Sequence, residues 1–391
     1  MASQNHPRAE ADSPLTRLSR LGQSIWLDYI DRRLLQGGEL DRLIAQAHLK
    51  GLTSNPAIFE KAVGTDPAYQ KDIGALAKNG AGPEAVFEQL AIADIRAAAD
   101  ALDGVYRETG RRDGYVSLEV SPRLAFDSAG TVAQARRLWQ AVGRDNLMVK
   151  VPATEAGLPA IEALIAEGIN INATLLFSRD MYRRVAHAWL SGLERWATHG
   201  GDPGRVASVA SFFVSRIDSA VDALLLSRIE SGQDPSAQAA LRSLLGKAAV
   251  ANARLAYGHY QALMSGERWQ RLARSGAQSQ RLLWASTGTK NPAYSDVLYV
   301  ESLIGPDTVN TVPPATLKAF ADHGVAEERL RDGSEAAARV MEALSALGIS
   351  LDEVTEQLLD EGVRLFSQAY DKLLAEIEAQ LTPLRISGQE R

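Results

Sequence analysis

About eight short apolar runs punctuate the chain, and helical periodicity fills the stretches between them. The runs fall at residues 24–29, 49–54, 115–120, 147–152, 168–175, 206–213, 281–286 and 308–312. Strands that alternate with helices in this way argue for repeated βα units and a parallel sheet. Phe87, Ala91, Ile95, Ala98, Leu102 and Val105 recur at helical spacings of three and four, and Leu158, Ile161, Leu164 and Ile165 lead to a stop at Gly168. A last long helix is predicted over roughly 351–380, with Val363, Phe366, Tyr370, Leu373 and Ile377 on one face. The connections 55–114 and 214–280 each hold more than one helical stretch, and neither a Gly/Ser- or Pro-rich linker nor a repeat divides the chain. The expected fold is therefore α/β: one (β/α)8 TIM barrel with extra helices, a single domain over 15–391 behind a disordered polar tail at 1–14. A doubly wound open sheet is the alternative.

The runs are phased. Side chains in a strand point alternately to opposite faces. Asp28 therefore shares a face with Trp26, while Ile25 and Leu27 take the other. Glu119 shares a face with Ser117, and Asn170, Asn172 and Thr174 oppose Ile169, Ile171 and Ala173. Lys150 sits between Val149 and Val151, in the run Leu147–Pro152. Each run offers a greasy face for helices to cover and a polar face that ends in a reactive group, as a barrel with its site at the strand C-termini requires. Removing an ammonium from water is expensive, so burial favours the neutral amine, which attacks carbonyls. Lys150 reads as a Schiff-base lysine, with Asp28 and Glu119 as the acid–base pair that imine formation and a retro-aldol cleavage need. Ser211 and Arg216 follow one late run; the hydroxyls, glycine and Lys290 of Trp284–Asn291 follow another. Such loop ends suit an oxyanion.

Composition excludes other chemistries. The 391 residues carry a net charge of −6 and no basic block, a poor basis for nucleic-acid binding. There is no cysteine, and the six histidines never fall at metal-ligand spacing, so neither a thiolate nucleophile nor a zinc site is expected. No complete GxGxxG or GxxxxGK[ST] motif marks a nucleotide cofactor. No run approaches the roughly 18 apolar residues of a membrane span. The first residues lack the apolar core of a secretory signal, so a cytoplasmic protein is expected.

Several blocks, in order, resemble transaldolase: GLTSNPAIFEKA (51–62), VSLEVSPRLAFD (116–127), VKVPATEAG (149–157), GININATLLFS (168–178), SFFVSRID (211–218) and WASTGTKNP (284–292). The likeness runs from about Ser24 to Phe320, and the chain's length and decorations are similar to the long forms of bacteria such as the actinomycetes. It implies a (β/α)8 barrel and transfer of a dihydroxyacetone unit between sugar phosphates, as in the pentose phosphate pathway, with no cofactor and no metal. By position, Lys150 matches the imine-forming lysine and Asp28 the group that takes the C4 hydroxyl proton. Glu119 matches the acid that works through a water during imine formation, and Thr174 helps to hold that water. Asn55 and Asn172 match asparagines that bind the dihydroxyacetone unit, Ser211 a substrate-binding serine, and Arg216 a phosphate-binding arginine. Lys290 stands where short forms carry a second phosphate-binding arginine; a lysine is a point charge and not a bidentate fork. The lysine strand reads VKVPAT where short forms carry an IKLAST-like run, a difference of packing.

Two other functions fit parts of this pattern. Fructose-6-phosphate aldolases, which release dihydroxyacetone to water, resemble shortened relatives with Gln for the acid and Tyr for Phe; here Glu119 and the substrate-contacting Phe213 stand at those places. A non-catalytic sugar-phosphate-binding protein would not need the Lys150, Asp28 and Glu119 set. The partners expected are sugar phosphates, with the chain a monomer or homodimer.

Overall fold

The computed structural model describes residues 13–232 and 234–389. The predicted tail at 1–14 lies outside this range apart from Ser13 and Pro14, which cap and open a first helix, Pro14–Arg20.

Eight parallel strands close into a barrel in chain order: β1 (Gln23–Asp28), β2 (Gly51–Thr53), β3 (Tyr115–Glu119), β4 (Leu147–Pro152), β5 (Ile171–Leu176), β6 (Ser208–Phe213), β7 (Arg281–Ala285) and β8 (Thr308–Val312). β8 pairs back onto β1, so no edge remains. Each expected run overlaps one strand, and the expected barrel holds over the open-sheet alternative. Every strand residue is buried except the last of β1 and of β3, Asp28 and Glu119. Parallel strands covered on both faces carry apolar runs for this reason, and a polar residue within them needs either a buried partner or the barrel's opening.

Boundaries differ from expectation where side chains replace ladder bonds. The run at 168–175 enters the sheet only at Ile171. Gly168 turns the chain at φ +80°. Asn170 then donates its amide to the carbonyls of Asp145 and Leu147 and accepts from the Ala207 N–H, stitching three segments before the strand begins. β2 shrinks to three residues because Trp26 fills the barrel floor: a Cβ on Gly51 would stand 2.5 Å from the indole. Only glycine lets the second strand pass there.

An ion pair closes the floor. Arg281 donates to Asp113 Oδ1 at 2.9 Å and to Ser24 Oγ at 2.9 Å; Ser24 donates to Asp113 Oδ2 at 2.8 Å and the Trp26 indole to Oδ1 at 3.2 Å. Burial alone would raise the Asp113 carboxyl, but Arg281 and these donors more than offset it, so its pKa falls below the ordinary value.

Among the described residues, the connections at 55–114 and 214–280 hold three and four α-helices. The final helix runs from Leu351 to Gln389, longer than predicted, and its expected stripe of Val363, Phe366, Tyr370, Leu373 and Ile377 is buried. It packs on the helices Pro56–Thr65 and Gln70–Lys78 and touches β5, so it crosses the C-terminal mouth of the barrel. Among the described residues no helix is long and apolar enough to cross a membrane.

Removing Asp113 leaves Arg281 buried without its counter-charge. Asp113→Ala is expected to lower unfolding free energy by about 3–5 kcal/mol, read from urea midpoints. Because the folded pKa is depressed, the wild-type contribution is present above the unfolded value and is lost as pH falls through the folded one. A neutral result at pH 7 would remove the pair from the account of the fold.

Candidate active site

Glu119, Lys150 and Asn172 are register partners on β3, β4 and β5. Register partners in a sheet point to one face, so these side chains enter the barrel at one level. Lys150 Nζ donates to the Ser54 carbonyl at 3.0 Å and to Glu119 Oε2 at 3.3 Å. The two side chains are only 5% and 3% exposed, so the pair sits where either charge alone would be costly. Burial drives the Glu119 carboxyl above its ordinary range, and the Lys150 charge opposes this only in part. Glu119 Oε1 and Thr174 Oγ1 are buried oxygens with no protein partner.

Asp28 belongs to the same site from β1, beside its register partner Thr53. Thr53 Oγ1 donates to Asp28 Oδ1 at 2.6 Å and lies 2.7 Å from Thr311 Oγ1. A hydroxyl has one proton, so Thr311 is the donor in the second bond. Burial raises the Asp28 carboxyl; Lys150, Thr53, Lys290 and Arg216 pull it back in that order, without cancelling the rise. A carboxyl in this setting takes and returns a proton closer to neutral pH than one in water.

β5 loses register with β6 between Ala173 and Leu176, and Leu175 adopts a left-handed φ of +60°. For a residue with a bulky side chain this conformation costs about 1–3 kcal/mol. The strain falls directly after Thr174. Leu175 packs against the C-terminal helix at Gly362, where a Cβ would come within 3.0 Å of Leu175 Cδ2.

A cavity of about 400 Å³ opens at the mouth. Of the ten residues expected from sequence, Asp28, Asn55, Lys150 and Thr174 line it, as do Ser211, Phe213, Arg216 and Lys290. Glu119 and Asn172 do not reach its wall. The Asn172 amide donates to Ser117 Oγ at 3.0 Å and its carbonyl accepts from Ser211 at 2.6 Å, so it braces Ser211 from behind. Asn55 caps the helix Pro56–Thr65 by accepting from the Ile58 N–H at 3.0 Å.

The cations are held by packing. Arg216 stands in the first turn of the helix Ser215–Ser231, its guanidinium 5.3 Å from the Phe213 ring centroid, with Nη1 buried and unpartnered. Burial lowers its pKa, against Glu361 and Asp28, yet a guanidinium stays charged in proteins. Lys290 lies in the loop after β7. Two tyrosines farther along that segment pin it to the Arg216 helix: Tyr294 donates to Asp222 at 2.7 Å and Tyr299 to Asp218 at 2.8 Å. The same carboxylates accept from the Gly246 and Ala249 N–H groups.

Sequence reasoning missed Phe366, Thr53, Thr311 and Lys61 on the cavity wall, while Ser286 is one of the hydroxyls expected there after the seventh run. Lys61 lies inside a recognised block, and Thr53 is the register partner of Asp28, so each had a signal. Phe366 had none beyond its place in a helical stripe.

A family profile described as Transaldolase/Fructose-6-phosphate aldolase matches residues 25–377. Curated relatives are similar along nearly their whole length. A protein named Transaldolase 1 from Streptomyces avermitilis is 49% identical over 377 residues, 96% of this chain and 97% of that protein. Transaldolase 2 from Nostoc punctiforme is 48% identical over 95% of this chain and 98% of its own. Transaldolase from Trichodesmium erythraeum is 45% identical over the same shares.

Asp218 couples the pinned loop to pH. Burial is the largest cause of the rise of its carboxyl from 3.8 to about 6, against hydrogen bonds from Ala249 and Tyr299. The folded chain therefore binds this proton more tightly than the unfolded chain. The stability it contributes is present below about pH 4 and lost as pH rises through about pH 6, a swing of roughly 2–3 kcal/mol. Asp218→Asn is expected to flatten that swing in urea midpoints measured from acid to neutral pH. An unchanged slope would assign it to another group.

Proposed function

The chain belongs to the transaldolase/fructose-6-phosphate aldolase family and is an enzyme of it, a transaldolase; we propose that it transfers a dihydroxyacetone unit from a ketose phosphate to an aldose phosphate through an imine on Lys150. The observation that carries this reading is a buried lysine 3.3 Å from one carboxylate, sharing a site with a second carboxylate and two cations.

The ketose C2 carbonyl carbon is attacked by Lys150 Nζ. Its oxygen leaves as water, with Glu119, whose raised pKa suits an acid, supplying a proton through a water held against Thr174. The two unpartnered oxygens, Glu119 Oε1 and Thr174 Oγ1, are the groups available to such a water. Asp28 then takes the C4 hydroxyl proton, the C3–C4 bond breaks, and its electron pair moves into the imine to give an enamine. The departing aldose phosphate is replaced by a second one. The enamine carbon adds to the aldehyde, whose oxygen takes back the proton held by Asp28, and water returns the lysine. Asn55 and Ser211, the latter braced by Asn172, contact the dihydroxyacetone hydroxyls, and Phe213 flanks them. Arg216 and Lys290 take the phosphate: Arg216 through its unpartnered nitrogen, Lys290 as a point charge. Sedoheptulose 7-phosphate and fructose 6-phosphate are the donors in this reading. Glyceraldehyde 3-phosphate and erythrose 4-phosphate are the acceptors. The enzyme acts in the cytoplasm as a monomer or homodimer.

Triose phosphate release from fructose 6-phosphate, assayed with and without erythrose 4-phosphate, tests the transfer. Sustained release only with the acceptor is expected; release without it means a free aldolase, and none means a binding protein. Lys150→Ala is expected to lose turnover and the mass that borohydride fixes in the presence of ketose phosphate. Appreciable residual activity would sink the imine assignment.

The role of Asp28 separates from that of Lys150. Asp28→Asn is expected to keep the borohydride adduct while cleavage falls by about 10²–10⁴-fold. Loss of the adduct with cleavage would place Asp28 in imine formation instead.

A further inference from the structure

A transferase of this kind faces a competing reaction that its acid–base groups do not prevent. Once the first aldose phosphate has left, the dihydroxyacetone enamine waits beside an emptied cavity. If solvent protonates the enamine carbon, the resulting iminium takes up water at C2, the C–N bond breaks, and dihydroxyacetone departs while Lys150 regains its amine. Atoms balance without any acceptor, and the outcome is hydrolysis in place of transfer.

Lys150 Nζ has two unlike kinds of neighbour. Glu119 Oε2 and the Ser54 carbonyl are polar and within hydrogen-bond reach. The ring of Phe366 is apolar and faces Nζ with its centroid 5.9 Å away. Phe366 is 6% exposed and lines the same cavity as Lys150 and Asp28. It comes from the C-terminal helix, not from the barrel, and the helix is fastened on both sides of it. Upstream, Gly362 allows contact with strained Leu175. Downstream, Asp371 pairs with Arg123 at 2.7 Å, Lys372 pairs with Glu60, and Tyr370 packs edge-on against Phe87 at 5.7 Å. An apolar ring so held offers no proton and no site for water.

We propose that Phe366 is a specificity-determining residue that shields the dihydroxyacetone enamine from bulk water, so that the unit leaves on an aldose. The inference rests on the transaldolase reading above. It divides water by side: the Glu119 side serves the imine steps common to donor and product, and the Phe366 side is closed to solvent while the aldose site stands empty.

The ratio of acceptor-independent dihydroxyacetone release to transfer, both from fructose 6-phosphate, is the readout. Phe366→Ala is expected to raise it by about tenfold or more, equivalent to about 1.4 kcal/mol of barrier difference. Phe366→Leu, which keeps apolar bulk, is expected to raise it less. Phe366→Leu also serves if Phe366→Ala fails to fold. A purely structural role would lower both rates together, and an unchanged ratio in all folded variants overturns the proposal. Wild-type enzyme that transfers normally confines such a failure to this inference. Wild-type enzyme that does not transfer overturns the functional reading as well.

Discussion

A single buried ion pair, Lys150 with Glu119, sets the terms for the mouth of this barrel. Two charges removed from water at 3.3 Å are costly unless each keeps its partner and its other hydrogen-bonding sites are met. The Ser54 carbonyl meets one site of the lysine. The second oxygen of Glu119 is left for something other than protein. The arrangement follows from register: Glu119 and Lys150 are paired residues on adjacent strands, so the sheet brings them together without any loop having to be ordered. Sites built on strands are positioned more firmly than sites built on loops.

The same barrel holds a second buried pair, Asp113 with Arg281, at its floor, and the contrast separates structure from chemistry. At the floor both carboxylate oxygens accept hydrogen bonds, from Arg281, Ser24 and Trp26, and the acid is pulled below its ordinary range. At the mouth Glu119 and Asp28 stay above theirs because burial outweighs the nearby cations. A satisfied pair holds its charges fixed. An under-satisfied pair can exchange protons, and it occupies the end at which (β/α)8 barrels place their chemistry.

Much of this was legible in the sequence, for physical reasons. A parallel strand buried on both faces is largely apolar, so single polar residues in such runs mark either a partnered floor, as Ser24 and Arg281 do, or an opening; Asp28, Lys150 and Thr174 line the cavity as their phase requires. The C-terminal stripe from Val363 to Ile377 announced a buried face because helical spacing reports burial. Spacing does not report what covers that face, so Phe366 read as core and its approach to Lys150 was invisible. The bulge at Leu175 was hidden as well. Leucine carries no propensity for positive φ, and the strained residue packs against the final helix, a tertiary contact that local sequence does not report. Asn170 misled the strand boundary because its side chain imitates the ladder that follows.

The carbon–nitrogen chemistry needs water to leave and return, yet the transferred unit must survive in a water-filled cell. One homogeneous pocket serves both demands poorly. A barrel alone offers an open mouth, and Asp28, Thr53, Lys150, Thr174 and Ser211 make much of its lining polar here. The C-terminal helix crosses the mouth and adds Phe366 to the apolar wall that Phe213 and Ala285 begin. Gly362 lets that helix approach Leu175, which directly follows Thr174 on the cavity wall. The helix that carries Phe366 thus packs on the strained strand that carries Thr174, and both line the cavity beside Lys150.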